Sequence, residues 1–97
     1  VGVWDTVGAL GIPAPFIGTL GEARYLFHDT EPSSIVRHAR HAVAIDENRL
    51  DFEPALWTDK PGVDIQQVWF AGVHSDIGGG YADRGLGDFS AAWMVQE

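Results

Sequence analysis

The chain has 97 residues, 45% of them apolar and 21% charged, which suits one small domain or part of a larger one and excludes a disordered tail. Lys and Arg number 6 against 14 Asp and Glu, a formal charge of −8, so there is no basic stripe for a nucleic-acid backbone or an anionic lipid surface. With no cysteine there is no disulfide framework, Cys-ligated zinc or thiol nucleophile, and no apolar run approaches the roughly 20 residues of a membrane-spanning helix.

Val1 to Trp4 is short, apolar and β-prone, as expected of a buried strand in a parallel sheet. Residues 8 to 21 hold four glycines and two prolines, which forbid a long helix, yet they are apolar for a loop. Pro32-Ser33-Ser34 then predicts a helix start with a serine N-cap. Ile35, Val36, Ala39, Ala42 and Val43 recur at helical spacing, with Arg37, His38, Arg40 and His41 largely on the other side. Asp46-Glu47-Asn48 is read as the end of this helix. Residues 49 to 65 are loop-like, with an apolar Ala55-Leu56-Trp57 patch. A second strand is predicted from about Gln66 to Gly72, then a glycine-rich turn over Ser75 to Tyr81 that no regular element tolerates, and a last helix from near Asp88 with Phe89 and Trp93 on its burying face. The order is βαβα, so the expected class is α/β with parallel strands. The chain opens as a strand already under way and closes mid-helix. It reads as an interior slice of a longer protein.

In open parallel sheets, function gathers at the carboxyl ends of the strands. Asp5 directly follows the first predicted strand and His74 follows the second. If the strands are neighbours or nearly so, the two side chains meet over one sheet edge. A carboxylate beside an imidazole fixes the ring's tautomer and stabilises the imidazolium during proton transfer. Acid before histidine is also the chain order of α/β hydrolases. The blander reading stays open, because an aspartate after a strand is commonly a turn former or helix cap.

The Gly78-Gly79-Gly80 run permits a shaping role that holds His74 in position, or an anion cradle made of backbone amides. No Gly-x-Gly-x-x-Gly or Gly-Lys-Ser/Thr spacing supports a nucleotide loop. His38 and His41 share a face if their segment is helical. Without a His-Glu-x-x-His pattern they read as a solvated surface, and no metal or other cofactor is expected. By position Trp4, Trp69 and Trp93 read as core, and Trp57 as the tryptophan at a surface or pocket.

Gly2-Val3-Trp4-Asp5-Thr6-Val7-Gly8-Ala9-Leu10-Gly11 resembles the strand-and-acid motif of a bacterial α/β-hydrolase family, formerly catalogued as a domain of unknown function, that includes phospholipase effectors of type VI secretion. Residues 40 to 49, Phe52 to Trp57, and above all Gln67-Val68-Trp69-Phe70-Ala71-Gly72-Val73-His74-Ser75-Asp76-Ile77-Gly78-Gly79-Gly80-Tyr81 match its pattern in the same order. Gly87 departs from it, standing where the family often has a serine that caps the last helix.

The resemblance implies a Ser-Asp-His triad with Asp5 as the orienting acid and His74 as the general base. The nucleophilic serine is expected upstream of Val1 in a Gly-x-Ser-x-Gly elbow, since Ser33, Ser34, Ser75 and Ser90 lack those flanks. The chain is then the C-terminal catalytic half of a larger domain, inactive alone. The implied substrate is a lipid ester, with the apolar stretch from Ala9 to Leu20 placed beside an acyl-chain groove. The resemblance also implies synthesis in the cytoplasm and delivery by type VI secretion, and it leaves room for a secretion-apparatus or immunity partner. Two other functions stay open on the residues: a hydrolase-like binding module that has lost its serine, and an anion-binding unit built on residues 78 to 80.

Overall fold

The computed structural model describes residues 1–7 and 35–97. The Ser33-Ser34 cap and the apolar stretch after Val7 lie outside the described residues. Three parallel strands form the sheet: β1 (Gly2–Trp4), β2 (His38–Ala44) and β3 (Asp64–Phe70), in the order β1-β2-β3. A 3-10 turn at Leu50–Phe52 lies between β2 and β3. A one-turn helix α1 (His74–Ile77) follows β3 almost at once, and helix α2 (Gly85–Gln96) closes the described chain. The expected α/β class with parallel strands is the class observed.

Two elements differ from their sequence reading. Helix α1 takes in Ser75 to Ile77, where no regular element is expected, because the glycines that break it begin only at Gly78. Residues 38 to 44 form the central strand, where the sequence predicts a helix. Its register pairs Val3 with His41 on one side and Gln67 with His41 on the other. A strand paired on both edges and covered on both faces is buried along its length, so its sequence does not alternate. The helical stripe was therefore degenerate: Ala39, Ala42 and Val43 are buried, but so are Arg40 and His41. Those two polar side chains have partners inside. Arg40 donates to Asp64 Oδ2 and to Glu97 Oε2, both at 2.7 Å, and to the Asp64 carbonyl at 3.0 Å. Three residues apart on a strand, His38 and His41 point to opposite faces. His38 is exposed and meets Asp64 Oδ2 at 3.3 Å, whereas His41 is fully buried. They cannot share a helical surface.

One apolar cluster lies on the face of the sheet that carries Ala42 and Ala44. Ala42, Ala44 and Ile77 are buried together, with Phe70, Trp93 and Met94 packed against them. The Phe70 and Trp93 rings stand 5.6 Å apart. Helix α2 begins slightly before Asp88 and half-buries Trp93 against this cluster, while Phe89 is exposed. Gly87 is the third residue of α2, and a Cβ there would sit 2.8 Å from the Asp76 carbonyl oxygen. The two helices approach one another through that glycine, and the buried Ser90 hydroxyl donates to the carbonyls of Ile77 and Gly87 at 3.0 Å each. Trp4 and Trp69 lie on the flanking strands and are 39% and 49% exposed, outside the core expected for them.

Candidate active site

Asp5 comes one residue after β1, in a left-handed backbone conformation with φ of 40°. Aspartate and asparagine tolerate this region better than other residues with a side chain. The turn folds Asp5 back over the end of β2. Its backbone N–H donates to the Ala42 carbonyl at 2.6 Å, and the Ala44 N–H donates to its Oδ1 at 2.8 Å. With 1% of its surface exposed, Asp5 is fixed at both its backbone and its carboxylate.

The second carboxylate oxygen faces His74. Oδ2 lies 2.8 Å from His74 Nδ1 across 69 residues of sequence. A carboxylate oxygen accepts, so Nδ1 carries the hydrogen and Nε2 is the nitrogen left to exchange a proton with another group. The imidazole side chain is 32% exposed. Phe52 meets it edge-on with the ring centroids 4.9 Å apart. β1 and β3 flank β2, so the two residues rise from strand ends that are next-but-one neighbours over the same sheet edge.

Asp5 and His74 border a cleft of about 440 Å³ that is also lined by Val3, Val7, Ala55 and Trp57. The loop that carries Trp57 is stitched to the sheet. Ala55 N–H donates to the Thr6 carbonyl at 2.7 Å. Gln67 on β3 takes the Trp57 N–H on Oε1 at 2.8 Å and returns Nε2–H to the Trp57 carbonyl at 2.9 Å. His41 supports this wall from beneath, its ring 5.1 Å from that of Trp57. The Thr6 N–H donates to His41 Nε2 at 3.2 Å, so Nε2 is an acceptor and Nδ1–H donates to Gln67 Oε1 at 3.2 Å. This is a neutral imidazole, and burial lowers its pKa below the ordinary 6.5. The sequence reading places Trp57 at a pocket but misses His41, Gln67 and Phe52.

The glycine run does not offer an anion cradle. Gly78 N–H donates to the His74 carbonyl at 3.0 Å, Gly79 N–H to Asp76 at 3.3 Å and Gly80 N–H to Ser75 at 2.7 Å. All three amides are spent on closing the turn that ends α1, with Gly79 at φ of 76°.

The model of the catalytic domain of Tle1-like phospholipase effectors of the type VI secretion system (T6SS) matches the chain over residues 1–97. The chain belongs to that family. No curated protein and no solved structure matches it. The general class of activity of these effectors is phospholipid hydrolysis, and type VI secretion is the route by which they are delivered. Among the described residues of this Tle1-like chain, no helix is long and apolar enough to cross a membrane.

Proposed function

We propose that the chain supplies the acid and the base of a Ser-Asp-His triad in a serine ester hydrolase that acts on lipid esters. The observation that carries this reading is the Asp5–His74 pair. One oxygen of a buried carboxylate is locked by a backbone amide and the other holds Nδ1 of an imidazole that borders a cleft. The nucleophile is a serine in a Gly-x-Ser-x-Gly elbow upstream of Val1, and the chain is the C-terminal part of a larger α/β-hydrolase domain.

In this mechanism His74 Nε2 takes the serine proton as Oγ attacks the ester carbonyl, then delivers it to the leaving alcohol. An acyl-serine remains. His74 next deprotonates the water that attacks it, and the fatty acid leaves as the serine oxygen recovers the proton. Asp5 stays ionised and stabilises the imidazolium at each stage. The oxyanion hole lies mainly upstream, since one of its amides belongs to the residue after the nucleophile. The apolar side chains of Val3, Val7, Ala55 and Trp57 suit an acyl chain entering beside His74.

A fluorophosphonate probe tests the assignment in the full-length protein, because it phosphonylates only a serine whose proton a nearby base removes. Labelling is expected on one serine upstream of Val1, at a rate that collapses in His74→Ala. Equal labelling of both proteins contradicts the role given to His74.

A further inference from the structure

The loop that presents His74 is held by an unusual set of bonds, three successive backbone amides each donating to a carboxylate. Gly72 N–H reaches Asp46 Oδ2 at 2.7 Å, Val73 N–H reaches Asp76 Oδ2 at 2.9 Å, and His74 N–H reaches Glu47 Oε2 at 3.2 Å. Asp46 also donates its own N–H to the Gly72 carbonyl at 3.1 Å. Asp76 lies within the loop's own first helical turn. Asp46 and Glu47 instead lie two and three residues past the end of β2.

Amides at the start of a helix have no partner within it. The His74 amide finds its partner on a different element, so its position depends on the end of β2. The Glu47 side chain is 3% exposed. Arg49 fixes it through three donors, its backbone N–H at 2.9 Å, Nε–H at 2.9 Å and a terminal N–H at 2.8 Å. The same guanidinium lies 3.8 Å over the Phe52 ring, and Phe52 is the ring that meets His74 edge-on. Glu47 thus holds the His74 backbone while Arg49 and Phe52 brace its imidazole.

β2 holds the other partner too. Its Ala42 carbonyl and Ala44 N–H are the groups that fix Asp5. One strand end sets the position of both the carboxylate and the imidazole, and the spacing between them is a property of that strand.

We propose that Glu47, with Asp46 beside it and Arg49 and Phe52 behind it, is a positioning residue for His74. This rests on His74 being the general base of the triad. Loss of the clamp leaves the cleft lining in place, so substrate binding is spared and the proton-transfer step is not.

The test uses the full-length protein and two readouts, phospholipid ester kinetics and the ¹⁵N–¹H signal of the His74 ring. Glu47→Ala is expected to lower kcat about 10²-fold, the scale of a misplacement of about 1 Å in a reacting group, with KM within about 2-fold of the original. The Nδ1–H signal should broaden or vanish through faster exchange. Glu47→Gln, which keeps an oxygen for the His74 amide, should recover part of kcat and of the signal. A folded Glu47→Ala protein with unchanged kcat and an unchanged ring signal overturns the proposal, even where His74→Ala is inactive. Full activity in His74→Ala instead removes the base assignment, and the ring signal still decides whether Glu47 holds the imidazole. Should Glu47→Ala not fold, Phe52→Leu removes only the brace on the ring. It should lower kcat and broaden the signal, and unchanged values for both overturn the proposal.

Discussion

Asp5→Asn separates the electrostatic role of this residue from its structural one. Asparagine accepts the left-handed backbone at φ of 40° as readily as aspartate does, so the turn itself is not disturbed. The amide's orientation is not free. The Ala44 N–H at 2.8 Å must be met by the carbonyl oxygen, because the opposite orientation would set two donors against each other in a buried site. An unmet buried donor costs about 1–3 kcal/mol. The –NH₂ group therefore faces His74 Nδ1, where the carboxylate now sits at 2.8 Å. Nδ1 must then accept, and the hydrogen moves to Nε2, the nitrogen that has to take the serine proton. The wrong tautomer lowers kcat by up to about 10⁴-fold in a serine hydrolase of known mechanism. Ester hydrolysis by the full-length protein at neutral pH should fall by that order, with the circular dichroism spectrum unchanged. A loss of less than about 10-fold in a folded Asp5→Asn protein would refute the tautomer reasoning.

Further outcomes follow from the same geometry. Gly72 has φ of 115°, and a Cβ there would lie 2.7 Å from the Asp76 Cβ, so Gly72→Ala combines backbone strain with overpacking. Denaturant titration should show a loss of about 2–5 kcal/mol. Burial holds the His41 pKa below 6.5 in the folded state, so its neutral form stabilises the protein fully above about that pH and less as the pH falls through it. Melting temperatures at pH 7.5 and 5.5 should differ more in the original chain than in His41→Gln, and equal differences would contradict the neutral tautomer. Trp57→Ala removes a large apolar side chain from the cleft wall. It should lower kcat/KM for long-chain esters about 10-fold more than for short ones, and equal losses would count against an acyl chain at this wall.

Much of the sheet was legible because strand ends carry plain signals. Apolar runs that stop at a polar residue gave β1 and β3, and the rule that function gathers at carboxyl ends singled out Asp5 and His74. The same rule would have found Asp46 and Glu47, which stand just past the end of β2. The helical period of residues 35 to 43 hides that strand end in the sequence. A central strand buried on every side shows no alternation, and Ala39, Ala42 and Val43 satisfy a helical period by coincidence. Its two polar residues suggested a solvated face, because nothing local reveals that Arg40 meets Asp64 and Glu97 or that His41 meets Thr6 and Gln67. Those partners lie between 24 and 57 residues away along the chain. Phe52 was hidden for a related reason. A single aromatic residue in a loop-like stretch has no periodicity, and only the return of the chain from β2 brings it to the imidazole.

The central claim is that the pair at the end of the sheet moves protons for ester cleavage. Phospholipid hydrolysis by the full-length protein and by its His74→Ala variant, both checked for native fold, measures this most directly. The expected result is loss of hydrolysis on the order of 10⁶-fold, the scale of losing a triad member that acts as base. Turnover within about 10-fold of the original in a folded His74→Ala protein would contradict the account.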